Sequence, residues 1–271
     1  MLPRVSRWST PYLSAATLAI ATLAVFASPV AAHAQSKIRY VALGDSYSAG
    51  VGAGSYSDGS CDQSANAYPV LWAKARRPAS FRNRTCSGAT TSTVLSSQLA
   101  ALSRATTLVS ITIGGNDVGF SSVLTTCVIF STGSCVRAID AAERKVSGQL
   151  PGKLNRVLAA IARHAPNARV VVLGYPDLYD LSKSSGCVGL STTDRTDLNR
   201  AANRLDAQVR AAASRHHDVY ADVRSAFSGH QICDTGSWLH SVDWLDLGVS
   251  YHPTSAGQAN AYYPAFRTAA G

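Results

Sequence analysis

The tetrad Gly44-Asp45-Ser46-Tyr47 follows directly on an apolar run, Ile38 to Leu43. A serine where a buried strand turns into a loop stands at the carboxyl edge of a sheet, where α/β enzymes place their chemistry. Its hydroxyl is unreactive until a base takes the proton. His252, in Tyr251-His252-Pro253, is a candidate base, with Pro253 fixing the backbone beside it and a helix expected just after. Two further blocks stand out. Gly88 lies in Cys86-Ser87-Gly88-Ala89-Thr90, and Asn116 lies in Gly114-Gly115-Asn116-Asp117 after the apolar run Leu108 to Ile113. Each has a plain alternative: a chance turn for Gly-Asp-Ser, a turn glycine for Gly88, a helix N-cap for Asn116, and a helix-start histidine for His252. The other histidines read blandly. His33 sits in the N-terminal segment. His164, His216 and His217 fall at predicted helix ends, where a cation meets the negative end of the dipole, and His230 and His240 are loop residues without a motif.

Serine, glycine, asparagine and histidine, each in its own block and in this order, are the four marks of the SGNH (GDSL-type) hydrolases. The chain resembles that family from Ile38 to the C-terminal helix. The resemblance implies that Ser46 is the nucleophile and His252 its general base. It also implies an oxyanion hole made of the Ser46 N–H, the Gly88 N–H and the Asn116 side-chain amide, each donor being worth on the order of 3 kcal/mol in acyl transfer. Asp45 follows the family motif, with an expected role in holding the turn. The chain departs from the pattern at the third triad position. The family usually has aspartate three residues before the histidine, and here that residue is Val249. Either Asp243 or Asp246 reaches His252 through an irregular loop, or a backbone carbonyl, that of Ser250 by preference, orients the imidazole. Some secreted actinomycete members of the family use such a Ser–His dyad. Rival motifs fail. Position 48 is serine, so Gly-x-Ser-x-Gly is absent, and Gly50, Gly52 and Gly54 match neither phosphate-loop spacing.

The elements that must position these residues are legible as alternating patterns. Apolar β-rich runs recur at Ile38 to Leu43, Phe81 to Thr85, Leu108 to Ile113, Arg169 to Leu173 and Asp218 to Val223. Helical periodicity lies between them, at Thr93 to Leu102, at Val136 to Gln149, after Pro151, around Leu198 to Val209, and from Thr254 through Tyr262. Strands alternating with helices argue for a parallel sheet covered on both faces. The expected fold is α/β: a three-layer α/β/α sandwich on a central parallel five-stranded sheet, flavodoxin-like as in the SGNH hydrolases.

Residues 1–34 read as a secretory signal peptide. Arg4 and Arg7 precede an apolar stretch from Tyr12 to Ala32, and Ala32-His33-Ala34 offers a cleavage site before Gln35. Residues 35–271 then form a single SGNH hydrolase domain. The formal charge of +9 includes two arginines of the leader. The remaining basic residues are scattered and read as solvated surface, so no nucleic-acid partner is expected. All six cysteines (Cys61, Cys86, Cys127, Cys135, Cys187 and Cys233) lie after the leader, an even count that implies disulfides in an exported protein. The resemblance implies the sequential pairing Cys61–Cys86, Cys127–Cys135 and Cys187–Cys233. No Cys-x-x-Cys or His-x-x-x-His pair suggests zinc, and neither metal nor cofactor is expected. The reading is thus a secreted, monomeric carboxylic-ester hydrolase resembling actinomycete extracellular lipases and phospholipases A. Its substrate would be a lipid or other acyl ester, with transient contact to a lipid surface. The alternatives are a carbohydrate O-acetyl esterase of the same family and a catalytically inactive binding module.

Overall fold

Residues buried on both faces of a doubly covered sheet make good parallel strands, and the first apolar run shows why. In β1 (Arg39–Gly44), Tyr40 and Ala42 enter one core while Val41 and Leu43 enter the other. The computed structural model describes residues 37–183, 187 and 189–271, together with residues 3, 6 and 8. The proposed leader otherwise lies outside the described residues. Gln35–Gly271 forms one compact unit.

After β1 come α1 (Ser46–Ala49), a hairpin of β2 (Tyr56–Asp58) and β3 (Gln63–Ser64), α2 (Tyr68–Arg76) and β4 (Ser80–Asn83). A short helix α3 (Thr91–Thr93) runs on through a wide π turn, Val94–Gln98, to β5 (Leu108–Thr112). Four helices follow: α4 (Gly115–Val118), α5 (Phe120–Ile129), α6 (Thr132–Gly148) and α7 (Leu150–His164). Then come β6 (Arg169–Leu173), α8 (Thr192–Arg215), β7 (Val219–Ala221), α9 (Arg224–Phe227), α10 (Ser255–Gly257) and α11 (Tyr263–Ala270).

The five long-range strands pair in parallel in the order β4-β1-β5-β6-β7. The chain leaves β1 toward β4 on one side and returns to β5 on the other, so the strand order reverses at β1. The crevice at such a switch point is where open α/β sheets bind ligands. The register sets Gly44 beside Thr112. The segments carrying Ser46 and Asn116 therefore leave the sheet side by side.

Helices cover both faces. Around Tyr40, Trp72 of α2 and Phe266 of α11 pack with ring centroids 5.1 and 5.4 Å away. On the other face α7 buries Leu150, Leu154, Val157, Leu158 and Ile161, a stripe at helical spacing behind Pro151 in its first turn. Against the sequence expectations, α2 and α5 are additional. The apolar face of α2 is confined to Tyr68, Pro69 and Trp72, too short a run to show periodicity. α5 is rich in β-branched residues (Val123, Thr125, Thr126, Val128 and Ile129), which read locally as strand. The stretch from 93 to 102 is helical but irregular, and the C-terminal helix continues beyond Tyr262 to Ala270.

The cysteines pair as Cys61–Cys86, Cys127–Cys135 and Cys187–Cys233, closing 25, 8 and 46 residues. The first ties the hairpin loop to the segment that carries Gly88. Beside it the Cys86 N–H donates to the Gly44 carbonyl at 3.0 Å, and the Ser87 N–H to the Cys61 carbonyl at 3.0 Å. The second staples α5 to α6. Replacing Cys61 and Cys86 together by alanine should lower unfolding free energy by roughly 2–4 kcal/mol in chemical denaturation. It should also lower kcat for ester cleavage, because the Gly88 loop loses its tether. An unchanged kcat would show that the backbone hydrogen bonds alone hold that loop.

Candidate active site

Gly44 closes β1 with φ +121°, and a Cβ there would collide with the carbonyl of Thr112 on the neighbouring strand. The buried Gln98 clamps this residue from the side. Its Oε1 accepts from the Gly44 N–H at 2.8 Å and its Nε2 donates to the Gly44 carbonyl at 3.0 Å. The chain can then turn at once into α1, whose N-cap is Asp45. The Asp45 carboxylate accepts from the Tyr47 N–H at 3.1 Å, the Thr112 hydroxyl at 2.6 Å and the Tyr175 hydroxyl at 2.5 Å. Burial raises its pKa to about 6, and the hydrogen bonds from Thr112, Tyr175 and Tyr47 oppose that rise. Ser46 follows, buried except for its face on the cavity.

His252 arrives from the far end of the chain. Its Nε2 lies 2.7 Å from Ser46 Oγ, and its Nδ1 lies 3.1 Å from the Ser250 carbonyl oxygen. A carbonyl can only accept, so Nδ1 carries the proton and Nε2 presents its lone pair to the serine hydroxyl. Asp243 and Asp246 are engaged elsewhere. Asp243 Oδ1 accepts from the N–H groups of Leu245 and Asp246, and Asp246 Oδ1 accepts from the Gly248 N–H. Burial pulls the pKa of His252 down to about 4, against an upward pull from the Ser250 carbonyl. The ring is therefore neutral across the physiological range.

The turn bearing His252 is built by residues that no local motif announces. Tyr251 adopts φ +65°, in the left-handed region. Its carbonyl accepts from the Tyr47 hydroxyl at 2.7 Å, and its own hydroxyl bonds Tyr179 at 2.8 Å. The Tyr47 ring also packs on His252 with centroids 5.2 Å apart. His240, a bland loop residue in the sequence, exchanges backbone bonds with this turn. Its N–H donates to the His252 carbonyl at 2.9 Å, and its carbonyl accepts from the Tyr251 N–H at 3.0 Å. The His240 ring nitrogen Nε2 donates to the Gly52 carbonyl at 2.8 Å, joining the turn to the loop after α1.

Gly88 and Asn116 face the same space. Gly88 has φ +74° and nothing within 4 Å of where a Cβ would be, so its backbone shape rather than crowding calls for glycine. Among the described residues, neither the Gly88 N–H nor the Ser46 N–H has an intramolecular acceptor. Asn116 lies within α4 rather than capping it, and its Nδ2 is held by the Ala89 carbonyl at 2.9 Å. Its neighbour Asp117 bonds the Thr91 N–H and hydroxyl at 2.8 and 2.7 Å and pairs with Lys153 at 3.3 Å. Ser46, Gly88, Asn116 and His252 thus line one cavity of about 260 Å³. Its wall is mostly apolar, with Phe120, Leu124, Val128, Leu178 and Val242 among the lining side chains. Among the described residues, no group of three or more His, Cys, Asp or Glu side chains is placed to hold a metal ion.

Comparison with known proteins gives a consistent picture. Residues 42–259 match the profile of the GDSL-like Lipase/Acylhydrolase family. Lipase 1 of Streptomyces coelicolor is 50% identical over 262 residues, 96% of this chain and 97% of that protein. The crystal structure of phospholipase A1 from Streptomyces albidoflavus superposes with a TM-score of 0.83 at 49% identity, covering 85% of this chain and 98% of that one. That of the extracellular lipase from Streptomyces rimosus has a TM-score of 0.83 at 46% identity, covering 86% and 99%.

Two measurements follow from this geometry. Ser46→Ala and His252→Ala should each lower kcat by roughly three orders of magnitude or more, while Asp243→Asn and Asp246→Asn should keep most of it. A true triad aspartate would lose about four orders of magnitude on amide substitution, so a drop of that size in either variant would identify a carboxylate partner. The pH profile of kcat/KM on a soluble ester should stay flat through the neutral range and fall only as His252 becomes protonated near its pKa of about 4. The depressed pKa keeps the base neutral to lower pH. An acid limb at the ordinary histidine value of 6.5 would show that the ring is not desolvated.

Proposed function

The chain belongs to the GDSL-like lipase/acylhydrolase family and is a carboxylic-ester hydrolase, and on that premise we propose that it cleaves lipid esters through an acyl-enzyme on Ser46. The observation carrying the reading is the 2.7 Å approach of Ser46 Oγ to His252 Nε2 in the wall of a largely apolar cavity. Ser46 Oγ attacks the ester carbonyl as its proton passes to His252 Nε2. The oxyanion takes hydrogen bonds from the N–H groups of Ser46 and Gly88 and from Asn116 Nδ2, which need no reorganisation because they are held in place beforehand. Collapse breaks the carbonyl–alkoxy bond, and Nε2 returns the proton to the leaving alcohol. Water then attacks the acyl-enzyme, giving its proton to the same nitrogen, and Ser46 is regenerated with release of the acid.

The Ser250 carbonyl holds the productive tautomer throughout. It stabilises the imidazolium formed in each transition state less than a carboxylate would, because it carries only a dipole. The largely apolar lining favours an acyl chain over an acetylated sugar, whose hydroxyls would find few polar partners on such a wall.

We further propose that the protein is exported, with cleavage before Gln35. The three disulfides fit an oxidising compartment. Among the described residues, no helix is long and apolar enough to cross a membrane.

A panel of p-nitrophenyl esters, phosphatidylcholine and acetylated xylan tests the substrate assignment. kcat/KM should rise from acetate to medium-chain acyl esters, phosphatidylcholine should be cleaved, and acetylated xylan should not. Preference for acetate together with xylan deacetylation would replace the lipid reading by the carbohydrate one.

A further inference from the structure

The apolar lining of the cavity does not stop at its mouth. Leu247 and Ile129 both line the cavity and stand 49% and 53% exposed outside it. Next to them Phe130 is 62% exposed, Trp244 68% and Leu245 fully exposed. These residues come from two segments only, the end of α5 and the loop from Val242 to Ser250. Large apolar side chains grouped around the entrance to a site mark a contact surface, whereas scattered ones would need no explanation.

The loop's backbone shows what it is built to meet. Most of its amides are closed within the loop. The Leu245 and Asp246 N–H groups donate to Asp243 Oδ1, and the Gly248 N–H donates to Asp246 Oδ1. The Val249 N–H reaches the Asp246 carbonyl at 3.2 Å, and the Ser250 N–H the Leu247 carbonyl at 3.3 Å. The base of the loop is tied by the Asp243 N–H to Ser250 Oγ at 2.9 Å. A protein partner would usually be met by free polar groups around an apolar centre. A tip that closes most of its own N–H groups can enter an apolar phase with few stranded donors. Tryptophan beside leucine suits the boundary between headgroups and acyl chains. The two aspartates turn their carboxylates onto the loop's own amides and add negative charge at the rim, which disfavours an anionic surface.

We propose that this rim docks the protein on a zwitterionic phospholipid surface, with Trp244 and Leu245 inserted and the cavity mouth facing the lipid. The proposal rests on the lipid-ester reading of the site and adds to it how the substrate arrives. An acyl chain leaving the surface would meet Leu247 and Ile129 at the outer part of the cavity wall, and so would not cross water.

Vesicles of ether-linked phosphatidylcholine test this, because they offer the surface without a cleavable ester. The wild-type protein should co-sediment with them, and its tryptophan emission should shift to the blue. The double variant W244S/L245S should bind at least about tenfold more weakly, from the loss of two buried apolar side chains. Its melting temperature and its kcat/KM on soluble p-nitrophenyl butyrate should be unchanged, since neither residue lines the cavity. Leu245→Asp alone should give the same split. Failure of the wild type to bind, or equal binding by the variants, would overturn the proposal. So would binding confined to phosphatidylglycerol vesicles, or a wild-type dimer in sedimentation that W244S/L245S abolishes. Failure of the underlying reading looks different. Ser46→Ala would retain hydrolysis of p-nitrophenyl butyrate, or ester-linked phosphatidylcholine would bind and stay intact.

Discussion

One buried carboxylate organises the carboxyl edge of the sheet. Asp45 receives hydrogen bonds from α1 through Tyr47, from β5 through Thr112 and from the loop after β6 through Tyr175. Its own N–H donates to the Thr112 carbonyl at 3.0 Å. Taking it out of water opposes its ionised form, and the donors offset that cost. The return is positional. With Asp45 fixed, Ser46 has one place to stand. Tyr175 is fixed in turn, and its hydroxyl also accepts from the Gly115 N–H at 3.2 Å beside Asn116. The proposed nucleophile and the proposed oxyanion donor are thus referenced to the same acid, although β1 and β5 are far apart in sequence.

His252 is positioned by different means. No secondary-structure element carries it to the site. A turn does, pinned at separate points by Tyr47, Tyr179 and His240. Its left-handed residue, Tyr251, is a tyrosine where the conformation would suit glycine or asparagine, a cost that the surrounding bonds override. Both edges of Tyr251 are occupied, the carbonyl by Tyr47 and the hydroxyl by Tyr179. A smaller residue there would relax the backbone but lose the hydroxyl anchor to Tyr179.

Much of this was legible in the sequence, and the limits have physical causes. Strands buried on two faces announce themselves as apolar runs, so all five members of the sheet could be read, with no boundary shifted by more than two residues. α5 could not, because its β-branched residues carry the local preference of strand and only packing against α6 makes them helical. The blocks around Ser46, Gly88, Asn116 and His252 are local patterns and can be found one at a time. Their supports are not local. Gln98 lies 54 residues from Gly44, His240 188 from Gly52, and Tyr47 204 from Tyr251. Residues of ordinary type that acquire meaning only at such separations leave no trace in spacing. Val249, in place of the usual aspartate, was the one local sign that the histidine turn is built differently.

The carbonyl of Ser250 also changes what inheritance can do to this site. A carboxylate partner is encoded by one codon and can be lost in one step. A main-chain carbonyl belongs to every amino acid, so no codon change at position 250 removes it. The vulnerable information moves to the residues that shape the chain around it: Tyr251 with its left-handed backbone, His240 across the turn, and Tyr47 beneath. Sequence change at position 250 therefore keeps the acceptor but gives up the Oγ tie to Asp243, while change at residues that never touch the imidazole nitrogens can move the acceptor itself. A search for the missing acid by position alone would pass over these residues.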